Sequence, residues 1–435
     1  MITPVVRPTH PAPGRTAARA VAAAVLLGLV LRMAFGLGYW VDKPLTHDEH
    51  EYLLLADNIA AGRGFHYLQP DGSPSPGEHF GRAPLYPLFL AALMRGTGTG
   101  LARGGTDPAT PEPALLWIIK VAQAMVGALG VWIVARLAAR AAGPQAAVIA
   151  AWLCAVYPPL VWTPAYIFSE TLYGVLALGA VALIDAAVAA PASPTQSPVS
   201  LAAIAAGGLL TGLAILTRPA MLFFVALAAP WLWWKRGPLA ATCLVLASII
   251  VIAPWTARNL REYGRFVLVA SEGGITFWTG NHPLAIGEGD MAANVALKRA
   301  NVEFRAANPG LGPESLEPLY YKAAVSWIAA NPDAFVVLLA RKLFYTVVPI
   351  GPSYRLHSTR YFWGSVLAYG AVLPFGILGL WKRGAALPTL LMLAASAVLV
   401  CVIFFPQERF RIPVIDPTLL VGAAAWWASR GVRAT

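Results

Sequence analysis

Val41-Asp42-Lys43-Pro44-Leu45-Thr46-His47-Asp48-Glu49-His50-Glu51-Tyr52 follows directly on a long apolar run, Ala17–Trp40. A stretch of about 20 apolar residues matches a hydrocarbon core of ~30 Å, so the run reads as a membrane crossing. It is too long for a signal-peptide core and ends in Tyr39-Trp40, with no small-residue cleavage site. It therefore reads as an uncleaved first span behind a basic inner tail, residues 1–16. The charged segment emerges on the far side.

The rest of the chain has the same character. Its 435 residues are 58% hydrophobic and 12% charged, about half the charge of a soluble domain. Disorder is excluded by 15 Trp, 14 Tyr and 17 Phe, which only a chain with a core can hide. A net charge of +11 would point to nucleic acid in a soluble protein. Here the charge falls in short segments between apolar runs: Arg15/Arg19, Arg136/Arg140, Lys235/Arg236, Lys382/Arg383 and Arg430/Arg433. Short basic loops mark the cytoplasmic side, and no nucleic-acid partner is needed. Cys154, Cys243 and Cys401 all lie in apolar runs. An odd, widely spaced set is neither a disulfide framework nor a zinc site.

Further spans are predicted at Ala114–Leu137, Ala146–Val161, Ile167–Val188, Leu201–Leu216, Ala220–Trp234, Leu239–Trp255, Tyr361–Trp381, Leu387–Phe405 and Ile412–Ser429. Ten crossings keep every basic pair inside; eleven is the alternative, in which 334–350 also crosses. The charge rule favours an interfacial or re-entrant helix there. The chain then reads as one all-α membrane domain, 17–429, with an inner tail at 430–435. Two outer loops interrupt it, 41–113 and 256–360. The first carries an interfacial helix at Pro84–Met94, too short to cross. The second combines a Gly-rich, strand-like part (Phe266–Gly280) with a helical part (Glu314–Ala330). The Pro/Ser-rich Pro191–Pro198 is an inner turn. No internal repeat of fixed period is present.

Chemistry concentrates at the outer boundary. The pattern Leu53/Leu54 with Asp57/Asn58 predicts an amphipathic helix over Glu51–Ala61. Asp48 then sits at its N-terminus, where the helix dipole favours the carboxylate. An ionised carboxylate there can take a proton from an attacking hydroxyl, and Glu49 lies beside it. Arg82, in Gly81-Arg82-Ala83-Pro84, suits a lipid phosphate, which guanidinium binds in a forked geometry. Arg409 and Arg411, in Gln407-Glu408-Arg409-Phe410-Arg411, put positive charge where the charge rule expects none. Arg411 has Glu408 as an alternative partner. Arg258, beyond Pro254-Trp255, and Lys342, inside the apolar helix Phe335–Val348, are candidates for the same anion site, since charge at membrane depth is costly. Glu170, in Ser169-Glu170-Thr171, is either an acceptor-site or a structural carboxylate. Arg32 and Lys120 lie within snorkelling reach of the outer interface, and Asp185 near an inner end. His47, His50, Glu78 and His79 offer metal donors, but no pair has the i, i+4 spacing of a zinc helix. No metal is therefore assigned, and a divalent ion stays an open alternative.

In this order the motifs resemble the GT-C membrane glycosyltransferases, closest to the bacterial branch of glycosyltransferase family 39, protein O-mannosyltransferases and the lipid A aminoarabinose transferase. The resemblance rests on Asp48-Glu49-x-x-Tyr52 after span one and Arg82-x-Pro84-Leu85 before a short helix. It continues through Tyr157-Pro158-Pro159, Ser169-Glu170, Leu216-Thr217-Arg218-Pro219, Pro254-Trp255-Thr256-Ala257-Arg258-Asn259, Gly273-Gly274, Gly280-Asn281 and Glu408-Arg409-Phe410-Arg411-Ile412-Pro413. It implies a polyprenyl-phosphate sugar donor, Asp48 as the catalytic carboxylate, Tyr52 in the donor site and Arg82 on the donor phosphate. The implied activity is inverting hexosyl or pentosyl transfer at the outer face of a bacterial cytoplasmic membrane, with lipid, glycan and protein acceptors all open. The chain departs from the aminoarabinose branch at Glu51, where that branch has Arg, and at Gly81, where it has Glu. Two other classes are weighed: a flippase for lipid-linked sugars, and a non-catalytic subunit of an envelope-assembly complex. Transporters usually place charge at the midplane between repeats, and no repeat is found here.

Overall fold

The computed structural model describes residues 14–68, 73, 81–102, 110–189, 198–289, 291–351, 358–383 and 387–431. Glu78, His79 and most of the Pro191–Pro198 turn lie outside them. Each of the ten apolar segments is helical: α1 (Arg15–Met33, continued by a π-turn Ala34–Tyr39), α4 (Pro113–Ala142), α5 with α6 (Pro144–Val156, Pro158–Trp162), α7 (Glu170–Ala189), α8 (Pro198–Thr217), α9 (Leu222–Arg236), α10 (Pro238–Tyr263), α15 (Thr359–Arg383), α16 (Pro388–Ile403) and α18 (Ile415–Gly431). Six helices are long and apolar enough to cross a membrane on their own. The α5–α6 unit is bent by 63° at Tyr157-Pro158, where proline cannot donate the bond that would continue the helix.

Two short helices follow the early part of the chain, α2 (His47–Ala60) and α3 (Leu85–Thr97). Four more build the second loop and last hairpin: α11 (Gly273–Gly280), α12 (Val295–Ala306), α13 (Pro313–Ala330) and α14 (Pro332–Val347); α17 (Glu408–Arg411) precedes α18. The strand-like reading of Phe266–Gly280 is corrected. Gly273–Gly280 is helical, and the described residues hold no strand, only an isolated bridge between Leu101 and Pro111. Gly273 and Gly274 are there for closeness, because a Cβ on Gly274 would run into the backbone of Glu317 in α13. α10 runs past Thr256 to Tyr263 and ends at left-handed Gly264. A turn of 111° separates α13 from α14.

Small residues set the helix spacing, as is usual where lipid removes the hydrophobic drive between helices. Gly208 and Gly212 of α8 lie on α10, where a Cβ at either would stand 2.8 Å from the carbonyl of Leu244 or Ser248. Gly379 of α15 and Gly422 of α18 meet in the same way. The main core lies among α4, α5, α7, α8 and α10. A second one joins α2, α3 and the start of α4, through Leu53, Tyr86, Leu90 and Leu115.

Two buried cations correct the snorkelling expectation. Arg32 is 2% exposed and donates to the carbonyls of Gly28, Cys154 and Ala155. Lys120 is 4% exposed and donates to Ala165 O at 2.5 Å and Trp40 O at 3.4 Å. Arg32 satisfies carbonyls at the break between α5 and α6, and Lys120 satisfies carbonyls at the ends of the first span and of the turn after α6, all places where helical partners are missing. Asp185 is buried at the opposite end, paired with Arg140 at 2.6 Å.

Candidate functional site

The site is built from the ends of elements that meet at one pole of the bundle. Thr46 starts α2 with a capping box: its hydroxyl accepts from Glu49 N, and Glu49 Oε2 accepts from Thr46 N at 2.7 Å. Such a box satisfies two of the helix's orphan donors at once. The other oxygen of Glu49 accepts from Ile167 N at 2.8 Å. Glu49, the second candidate for a catalytic carboxylate, thus has a structural engagement here. It is 2% exposed with both oxygens on backbone, and it pins α2 to the entry of α7. Asp48 is left facing outward in the first turn, with Glu51 one turn on along the same face.

Arg82 reaches this face from a turn that needs Gly81. Gly81 has φ +67°, and its carbonyl accepts from Ser271 N at 3.1 Å. A Cβ there would collide with the Ser271 side chain. That contact brings the first loop onto the second and sets Arg82 beside Glu272. The guanidinium donates to Asp48 Oδ1 at 2.5 Å, to Glu51 Oε2 at 2.7 Å from Nε and again from Nη2, and to Glu272 Oε2 at 3.3 Å. Arg409 of α17 takes the other oxygen of Asp48, Nη1 to Oδ2, at 2.5 Å. Its Nε donates to Gln407 Oε1 at 2.7 Å, and its guanidinium lies over the rings of Phe168 and Phe410. Asp48 and Arg82 are therefore in direct contact, inside the roughly 10 Å that a sugar held between base and leaving group would span.

The network extends to a second pair. Glu170 opens α7 and forms an ion pair with Arg218 at 2.7 Å, with Arg409 Nε 3.9 Å away. Ser169 Oγ accepts from Arg218 Nη1 at 3.3 Å and from Tyr52 OH at 3.5 Å, and the Arg82 guanidinium lies 5.3 Å from the Tyr52 ring centre. Asp48, Tyr52, Arg82, Glu170 and Arg409, all singled out from sequence, are thus in one linked set. Glu51, Arg218 and Glu272 are the members that sequence reasoning missed.

The remaining three candidates are engaged elsewhere. Arg258 donates to Tyr263 OH at 3.0 Å and is packed among the rings of Phe65, Trp255 and Tyr263. Lys342 is fully buried and donates to Asn281 Oδ1 at 2.8 Å and Ile403 O at 3.3 Å, joining α14 to the end of α16. Arg411 pairs with Asp416 at 2.9 Å and stacks over Tyr369 at 3.9 Å. Lys342 and Arg411 thereby join helices, and Arg258 ties α10 to Phe65 of the first loop.

The electrostatics follow from this geometry. Burial works against ionisation of Asp48, but Arg82 and Arg409 outweigh it and hold the carboxyl well below the usual range. Burial likewise opposes the charge on Arg82, and Asp48 and Glu51 more than restore it. Glu272 goes the other way: burial raises it despite Arg82 and Arg218. Its turn is held from below by Glu317, whose carboxylate accepts the amides of Gly273 and Gly274 and is pushed up to about 7 by burial.

His47, Asp48 and Glu51 each offer a donor atom, all within 4.8 Å of one another. By spacing this trio suits a divalent ion. His50 is not part of it. The fit fails on charge, because the Arg82 guanidinium already binds both carboxylates and Arg409 takes the remaining oxygen of Asp48.

No family model matches the chain, and no curated protein sequence matches it. Solved structures do. The Archaeoglobus fulgidus oligosaccharyltransferase AglB, in complex with an inhibitory peptide and a dolichol-phosphate, aligns over 96% of this chain and 51% of its own, at 17% identity and a TM-score of 0.59. A Zn and sulfate complex of the A. fulgidus oligosaccharyltransferase aligns over 95% and 49%, at 17% identity and a TM-score of 0.57. ArnT from Cupriavidus metallidurans, bound to undecaprenyl phosphate, aligns over 95% and 78% at 14% identity, with a TM-score of 0.39 that carries no argument. The fold is that of the GT-C membrane glycosyltransferases, all-α and polytopic. The chain spans about half the length of the archaeal enzyme it matches.

Proposed function

We propose that this protein is an inverting glycosyltransferase that moves a sugar from a polyprenyl-phosphate donor to a hydroxyl acceptor at the outer face of a membrane. The observation that carries this reading is the convergence of Arg82 and Arg409 on the two oxygens of Asp48, from segments 34 and 361 residues apart in sequence. A carboxylate flanked by two fixed guanidinia, at the pole of an apolar bundle, pairs a proton acceptor with two phosphate binders. The AglB complex holds a dolichol-phosphate, a ligand of the same isoprenoid-phosphate class.

In the reaction the acceptor oxygen forms a bond to the anomeric carbon, opposite the phosphate. The bond from that carbon to the phosphate oxygen breaks, and its electron pair leaves with the polyprenyl phosphate. The hydroxyl proton passes to Asp48. Held by two guanidinia, Asp48 is a poor base. A donor phosphate competes for the same N–H groups of Arg82 and Arg409, because phosphate takes forked guanidinium contacts as carboxylate does. As those bonds move to the phosphate, Asp48 regains basicity at the moment an acceptor is needed. The guanidinia then face the charge that develops on the leaving group, in a site of low dielectric where fixed charge is most effective. Tyr52 and the Glu170–Arg218 pair fix the walls.

Binding of a polyprenyl phosphate to the purified protein in nanodiscs, followed by native mass spectrometry, tests the reading. Arg409→Ala should weaken it strongly and Arg258→Ala should leave it unchanged. Equal loss in both variants, or no binding to wild type, would defeat it.

A further inference from the structure

We infer that the Arg82 guanidinium fills the cation place of this site, so that the native protein works without a divalent ion and becomes a metal binder only when that side chain is removed. The trio His47, Asp48 and Glu51 has the donor types and closeness of a divalent site. His47 is 56% exposed and Asp48 19%, so an ion could reach them from outside. What stands against the two carboxylates is the guanidinium. Arg82 is 8% exposed, meets Glu51 through both Nε and Nη2, Asp48 through Nη2 and Glu272 through Nη1. Glu51, at 4% exposed, is too deep to be neutralised by water, and a buried carboxylate demands a cation or a proton.

Arg82 is also fixed in place. Its own N–H donates to Tyr67 OH at 3.3 Å, and the residue before it is locked to Ser271. A divalent ion entering among Asp48, Glu51 and His47 would stand beside a guanidinium that cannot lose its proton at any ordinary pH. Two cations at such a distance repel, and the tethered one is always present. A carboxylate that in a metal site would be a ligand is here the counter-ion of an arginine. On the glycosyl-transfer reading, the guanidinium therefore meets the donor phosphate directly.

The test is Mn²⁺ binding to the full-length protein in nanodiscs, followed by electron paramagnetic resonance of free and bound ion, with no substrate present. Wild type should leave excess Mn²⁺ free. Arg82→Ala should bind one ion per chain, and Arg82→Ala with Glu51→Gln should lose it. Arg82→Met, which keeps the bulk of the arginine stem, serves as a second variant should the alanine chain not fold. One Mn²⁺ on wild type that Glu51→Gln abolishes would overturn the inference. So would folded Arg82→Ala and Arg82→Met proteins that bind none. Since no sugar or lipid enters the experiment, its outcome is separate from that of any transfer assay.

Discussion

Arg82→Ala strands charge, and the structure says which charge costs most. Three carboxylates lose a partner. Asp48 keeps Arg409 at 2.5 Å, and Glu272 is 29% exposed, so water absorbs much of their loss. Glu51 is the most buried of the three at 4% exposed, and His47, 3.9 Å away, is mainly exposed. Removing one partner of a buried pair typically costs about 3–5 kcal/mol, and nearly all of it should come from Glu51. Glu51→Gln in the Arg82→Ala background removes the stranded charge, so the double variant should be more stable than Arg82→Ala alone, with a coupling of ~1–3 kcal/mol. Unfolding in mixed micelles by a denaturing detergent, followed through the 15 tryptophans, would measure it. A double variant less stable than Arg82→Ala would refute the assignment of Arg82 as the counter-ion of Glu51.

Glu49→Ala should lose the capping box and the tie to Ile167, costing about 1–2 kcal/mol and speeding amide exchange over 46–50, whereas Glu49→Gln should retain most activity. Glu317 has its carboxyl raised from 4.5 to about 7, so the folded chain holds that proton more tightly than the unfolded one; its contribution is full below the ordinary carboxylate range and fades as pH rises towards about 7. Unfolding midpoints taken on either side of that window should fall for wild type and stay level for Glu317→Gln. A cysteine at Ala307 should react with an impermeant thiol reagent applied from outside and one at Thr16 should not; the reverse pattern would invert the orientation.

Much of the site could be read from where charge meets the membrane exit. Asp48, Arg82 and Arg409 each follow or precede an apolar run, where charge has few bland uses. Glu51 was legible in principle, since it falls one helical turn after Asp48, but it stood out only as a departure from a related branch. Arg218 lies between two spans at the same pole as Glu170, and alternation alone would have placed them together. Glu272 was hidden because a Gly-rich stretch imitates a strand. Its glycines serve close packing of α11 on α13, which no local pattern announces. Arg258, Lys342 and Arg411 were drawn in for the opposite reason. A cation in an apolar helix signals need for a partner, but sequence does not distinguish a bound phosphate from an aromatic cage, an asparagine or a neighbouring aspartate.

The central claim is that Asp48 takes the acceptor's proton while Arg82 and Arg409 hold the leaving phosphate. It is tested most directly by transfer from radiolabelled polyprenyl-phosphate sugars in a native membrane extract to purified wild-type and Asp48→Asn protein. Asparagine keeps the shape of the side chain and removes the base, so the rate should fall by roughly 10²–10⁴, while binding of the polyprenyl phosphate persists. Transfer by folded Asp48→Asn protein at near wild-type rate would contradict the account.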